Sequence, residues 1–267
     1  MTFDSNQARA TYFTVQQRLR RKSATLLSTL ETRLPRIMTF WLVLAMSACG
    51  VRIATSNIHA APDLSTVVPY ILLVGAPLVS MGLALMWFAN GDRLPQPSTR
   101  LAVVGRWQKV SFDEASRHPL YGSSGIMVSL LVGMLLNVPV RGLEYLAAMP
   151  ALSGTVPAWL STLHVAMTLD VVLLTSLYTV AFVAALKRVP LFPRLLAAIW
   201  LIHIAMQLGI ATAVASTEGL PGPVADALHT LLDGNVKKVL ISVCLWLPYL
   251  LLSKRVNITY RHRIERI

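Results

Sequence analysis

Long apolar stretches separated by short polar ones set the pattern of this chain. Six of them run from about Leu34 to Ala54, Val67 to Ala89, Gly125 to Ala147, Leu163 to Leu186, Leu191 to Ala215 and Val236 to Leu252. The second has 23 residues and no charge. At a rise of about 1.5 Å per residue it crosses the roughly 30 Å hydrocarbon core with some tilt. The sixth is the shortest and relies on Lys237 and Lys238 reaching outward along their aliphatic stems. The pattern predicts an all-α integral membrane protein with six transmembrane helices.

Composition strengthens that reading. Of 267 residues, 55% are hydrophobic and 13% charged, whereas a soluble domain carries about a quarter charged residues. Lipid is the solvent that absorbs so much apolar surface. The net charge of +12 raises nucleic acid as a partner, and the distribution of charge answers it. Of the 24 Lys and Arg residues, 20 fall in the N-terminal segment, the connection 90–124, the turn 187–194 and the tail. The connections 55–66, 148–162 and 216–235 hold none. This alternation is the positive-inside pattern, and it predicts both termini in the cytoplasm. Topology accounts for the charge, so no nucleic-acid partner is expected.

The expected organisation is a cytoplasmic leader (1–33), a transmembrane hairpin (34–89), a cytoplasmic connection (90–120), a four-helix module (121–260) and a basic tail (261–267). Residues 11–33 set Phe13, Leu19, Leu26, Leu27 and Leu30 among basic residues. That reads as an amphipathic helix on the inner membrane face. Trp107 marks a short interfacial helix in the connection. Cys49 and Cys244, both in apolar runs, have neither disulfide nor zinc spacing, and no cofactor is expected. The stretch Met46–Gly50 is a poor lipoprotein site because its leader is too long. The sequon at Asn257 is expected to lie idle on the cytoplasmic side.

Three stretches resemble a family of bacterial membrane proteins catalogued as domain of unknown function 2569. One is Tyr121-Gly122-Ser123-Ser124-Gly125, with Pro139-Val140-Arg141 further along the same helix. The second is Lys187-Arg188-Val189-Pro190-Leu191-Phe192-Pro193. The third joins Trp246-Leu247-Pro248-Tyr249 to Ser253-Lys254-Arg255-Val256 and Thr259-Tyr260. The family usually has Thr-Phe where Tyr260 stands, and Gly-Gly-Trp where this chain has Ser124-Gly125-Ile126. The resemblance covers about residues 121–260. It implies a four-helix membrane module in the bacterial inner membrane, and no reaction.

Ionisable groups within spans are costly and are the first candidates for function. Asn137, Arg141 and Glu144 lie at i, i+4 and i+7 on one helix face. Arg141 and Asp170, on antiparallel neighbours, fall at matching depth, about 10 Å below the outer surface by helical rise. A buried Arg141–Asp170 pair is expected, either fixing helix register or lining a polar cavity for a small anion or a lipid headgroup. Arg52 is a further candidate for that cavity. His203 and Gln207, at i and i+4, are a packing pair or a proton relay. Asp226, His229 and Asp233 sit on a short external helix ending at Gly234, with His164 near the same surface. That cluster is a candidate metal or polar site, with a solvated face as the plainer reading.

No GxSxG, HExxH or P-loop pattern appears. Three roles follow. The first is a non-catalytic accessory or scaffold acting through helix contacts, with the bilayer and a membrane protein or a second copy as partners. The second is a small carrier or channel with a polar interior. The third is a membrane enzyme on a lipid-linked substrate.

Overall fold

A computed structural model describes residues 21–56, 64–98 and 105–266. Six helices among them are long and apolar enough to cross a membrane. They are α1 (Leu34–Thr55), α2 (Leu64–Trp87), α4 (Ile126–Ala148), α5 (Ala158–Leu186), α6 (Phe192–Ala215) and α7 (Gly222–Leu252). Short elements complete the fold: a 3-10 turn (Gly91–Arg93), strand β1 (Trp107–Lys109), α3 (Phe112–Arg117), α8 (Lys254–Arg261) and strand β2 (Arg263–Glu265). The chain is a multi-pass helical membrane protein.

Helix α5 is the axis, packed against α2, α4 and α6. Its sequence explains why: Ala181 to Leu186 are six consecutive buried residues, and a helix apolar on every face belongs inside a bundle. α2 meets α5 more extensively than it meets α1, so the N-terminal hairpin is built into the bundle. α1 is held through Trp41, whose indole donates to the Val74 carbonyl at 3.3 Å. The Trp41 ring rests on Gly142, where an added Cβ would come within 3.0 Å of it. At the end away from the basic residues, Arg52 donates to the Met149 carbonyl at 2.8 Å and Thr66 to the Leu152 carbonyl at 2.8 Å.

Two expectations need correction. The sixth span does not begin at Val236 after a separate external helix. One 31-residue helix runs from Gly222 through Gly234 and Pro248 to Leu252, because an isolated glycine only weakens a helix. Trp107 stands on a strand rather than a helix, and β1 pairs antiparallel with β2 in the tail, Trp107 opposite Glu265. The interfacial helix follows as α3, capped by Ser111, whose hydroxyl accepts from the Glu114 amide at 3.2 Å. Residues 21–32 are helical and dock on the bundle: Leu30 is buried, and the Ser23 hydroxyl accepts from the Gly125 amide at 3.0 Å. Phe13 and Leu19, named for the amphipathic leader, lie outside the described residues.

Candidate functional site

The interior of the module holds two apolar clusters, one toward each end. Polar side chains from all four helices meet where the clusters adjoin. On α6, Trp200 belongs to one cluster and Ile210 to the other, with His203 and Gln207 between them. On α7, Asn235 falls between Leu232 and Val239 in the same way.

The Arg141 guanidinium on α4 donates to Asp170 Oδ2 on α5 at 2.8 Å, with the two residues 8% and 4% exposed. Gln207 Nε2 on α6 donates to the other carboxylate oxygen at 2.9 Å. Asn235 Nδ2 on α7 donates to Gln207 Oε1 at 3.0 Å. On its other side, the guanidinium contacts His203 Nε2. A guanidinium can only donate, so Nε2 accepts and the ring proton sits on Nδ1. That proton faces the Tyr178 hydroxyl at 3.4 Å. A hydrogen-bonded chain therefore joins Asn235, Gln207, Asp170, Arg141, His203 and Tyr178 across α4, α5, α6 and α7, with donors converging on Asp170 and diverging from Arg141.

The remaining candidates separate from this chain. The Asn137 side chain carries a buried Oδ1 with no partner among the described residues. Glu144 turns to the surface and pairs with Lys238 of α7 at 2.6 Å. Arg52 is committed to Met149 and does not join Arg141. Beside the Arg141–Asp170 pair lies a cavity of about 20 Å³ reaching Asn235, room for a single water. His164 does not join the external cluster. It is buried 3.4 Å from the Tyr145 hydroxyl, which also bonds Thr168 at 2.7 Å. Asp226, His229 and Asp233 are exposed on the outer turns of α7. No group of His, Cys, Asp or Glu among the described residues is arranged to hold a metal ion.

Two members of the chain escaped the sequence reading. Tyr178 was absorbed into an apolar run. Asn235 follows Gly234, which in sequence marks a helix end, so a lone asparagine at the start of the apolar run carries no separate signal.

At the basic end, the Tyr121–Gly125 stretch, the turn 187–193 and the C-terminal stretch converge. The Tyr260 hydroxyl donates to the Ala185 carbonyl at 2.8 Å and lies 3.0 Å from the Ser123 hydroxyl. The Gly122 amide donates to Thr259 Oγ1 at 3.0 Å, and Arg255 donates to Ser124 Oγ at 2.8 Å. The Phe192 ring, followed by Pro193 in the first turn of α6, lies 5.1 Å from the Tyr260 ring. Trp246 and Tyr249 meet edge-on at 6.0 Å on α7 and pack against the same cluster. After Ser253, which ends α7, Lys254 pairs with Glu265 of β2. Asn257 is fully buried and donates to the Ser253 carbonyl at 3.1 Å, which leaves its sequon inaccessible. Burial pushes the Tyr260 phenol well above its ordinary pKa, so it stays a donor.

The fold and the buried network define a helical, multi-pass membrane protein cross-linked through its interior. No family model, curated protein or solved structure matches the chain.

Proposed function

We propose that the protein is a non-catalytic accessory or scaffold module of a bacterial inner membrane, acting through lateral contacts of its helices. The carrying observation is the closed hydrogen-bond chain from Asn235 to Tyr178. Arg141 and Asp170 are satisfied by each other and by Gln207 and His203, and the space beside them is about 20 Å³. Such an interior favours a fixed helix register. The outward faces of α1 and α7 are apolar, with Phe40 68% and Ile241 67% exposed. They offer surface to lipid, to a partner helix or to a second copy.

The carrier and enzyme readings have less behind them. A carrier needs a site that empties toward either face, and the interior charges here are mutually engaged. The enzyme reading rested on Asp226, His229 and Asp233, which face solvent. Cytoplasmic termini are favoured by the positive-inside distribution of charge. Membership of the family of unknown function 2569 is supported by the meeting of Gly122, Phe192 and Thr259-Tyr260, one residue or pair from each of its stretches, in one cluster.

Purification in native lipid tests the role. A stoichiometric membrane-protein partner or a homo-oligomer is expected. A lone monomer with anion uptake that depends on Arg141 overturns the reading. For orientation, an impermeant thiol reagent should label Ser153→Cys in intact cells and Ser98→Cys only after permeabilisation. The reverse order would place the termini outside.

A further inference from the structure

At the basic end, helix 21–32, the end of α2 and the end of α5 enclose a cavity of about 310 Å³, lined in part by Glu31, Gly91, Asp92, Lys187 and Arg188. That is the lower bound of ordinary small-molecule pockets, about 300 to 1,000 Å³. Its lining carries two acids and two bases. Its walls depend on Gly91, where a Cβ would lie 2.7 Å from Val189 Cγ2 and 2.8 Å from the Lys187 carbonyl. The turns after α2 and α5 touch because residue 91 has no side chain.

Arg188 occupies an unusual position. α5 ends with the Val189 amide on the Ala184 carbonyl at 2.9 Å and the Arg188 amide on the Ala185 carbonyl at 3.2 Å. In this helix ending the left-handed residue is usually glycine. Here it is arginine, at φ 57°, a conformation that is sterically costly for an L side chain. Strain retained against an easy glycine alternative points to a use for the side chain. The guanidinium lies over the Tyr121 ring at 5.7 Å and 3.9 Å from Glu31, and its buried Nε has no partner among the described residues. Among the described residues, Lys187 and Asp92 make no ion pair.

We infer that this cavity binds a zwitterion bearing a phosphate and a primary ammonium, the chemistry of a phosphoethanolamine headgroup. The phosphate meets Arg188 and Lys187, and the ammonium meets Glu31 and Asp92. The cavity stands at the ends of three membrane-associated helices, at headgroup level. An apolar groove of about 160 Å³, lined by Ile37, Trp41, Leu78, Met81 and Thr179 among others, lies deeper. Thr179 is about 10 Å from Leu186 by helical rise, so the groove lies at acyl-chain depth below the cavity. The site is separate from the buried polar chain and stands whatever role the helices serve.

Native mass spectrometry of the full chain in detergent tests it, with phosphatidylethanolamine, phosphatidylglycerol and phosphatidylcholine added in turn. The wild type should retain one phosphatidylethanolamine at least tenfold over the other two. Phosphatidylglycerol lacks the cation, and the choline group has no N–H to donate. Arg188→Gly relieves the left-handed backbone, so its thermal midpoint should equal or exceed wild type while retention falls at least tenfold. Asp92→Asn, a partly exposed change, should reduce retention to the phosphatidylglycerol level. Displacement by free O-phosphoethanolamine assigns the site to the soluble compound, and persistence of the adduct assigns it to the lipid. Equal retention of all three lipids by the wild type, or an unchanged preference in either variant, overturns the proposal.

Discussion

Replacing Arg141 by leucine removes the partner of a carboxylate that is 4% exposed. Asp170 keeps only the Gln207 amide, and His203 Nε2 loses its donor. Breaking one side of a buried pair costs about 3–5 kcal/mol, because the other charge is left uncompensated. At about 1.36 kcal/mol per decade, that is roughly 2.2 to 3.7 decades in the folded-to-unfolded ratio. Removing a neutral link is smaller: interhelical hydrogen bonds in membranes average about 0.6 kcal/mol and reach about 1.7. Gln207→Leu should therefore cost clearly less than Arg141→Leu or Asp170→Leu. The double replacement Arg141→Leu/Asp170→Leu should recover most of either single loss, since a buried pair exchanged for apolar side chains is often neutral. Unfolding of the protein in lipid nanodiscs, followed by tryptophan fluorescence, measures the cycle. A single variant as stable as wild type, or a double variant that loses the sum of the two single losses or more, would refute a register-fixing pair.

Two further outcomes concern the basic end. Tyr260→Phe leaves the Ser123 hydroxyl without its 3.0 Å neighbour and the Ala185 carbonyl with Ser123 and the Arg188 amide, and should cost about 0.5–1.5 kcal/mol, the net worth of one hydrogen bond. Adding Ser123→Ala should recover none of the carbonyl's loss, so a double variant more stable than Tyr260→Phe would contradict the assigned bonding. Burial holds the His262 imidazole below its ordinary pKa, opposed by Asp92. The unfolded chain then takes up the proton first, near pH 6.5. This contribution is present above about pH 6.5 and is lost as pH falls through the folded value. Exchange of the Val110 amide, bonded to the His262 carbonyl at 3.1 Å, should accelerate below pH 6 and lose that dependence in His262→Gln. Equal protection at pH 5 and 7.5, after correction for intrinsic exchange, would exclude His262 as the cause.

The spans were legible because length and absence of charge are sufficient signals of a membrane helix, and all six appear within a few residues of expectation except at the start of α5 and α7. The Arg141–Asp170 contact was legible because antiparallel neighbours put the two charges at one depth. Gln207 and His203 were legible as a pair, but their partners were not, since a helical period says which face a residue occupies and not what lies opposite. Asn235 was hidden by the glycine before it. The β1–β2 pair was beyond reach for a different reason: three-residue strands carry no period, and Trp107 and Glu265 stand 158 positions apart. The left-handed Arg188 gave no sign because the residue that normally announces that turn, glycine, is missing.

That missing glycine separates the two polar regions in kind. In the buried chain, each member is explained by its neighbours: remove the wider protein and the pairing still accounts for why Asp170, Arg141 and Gln207 are together. At the basic end, Gly91 and Arg188 are both placed against local preference in opposite ways. A glycine, which weakens a turn of helix, is required by the 2.8 Å approach to the Lys187 carbonyl, while an arginine stands where glycine would be relaxed. Packing explains the first, because any side chain would drive the two turns apart. It explains only part of the second: the guanidinium lies over the Tyr121 ring at 5.7 Å, and Glu31 at 3.9 Å is a half-exposed partner worth little in water. A weak surface pair offers poor return for a strained backbone, and a ligand phosphate held by a charge-assisted fork offers more. Arg188→Gly therefore discriminates between the two accounts better than any substitution in the buried chain: loss of the Tyr121 and Glu31 contacts alone predicts unchanged lipid retention.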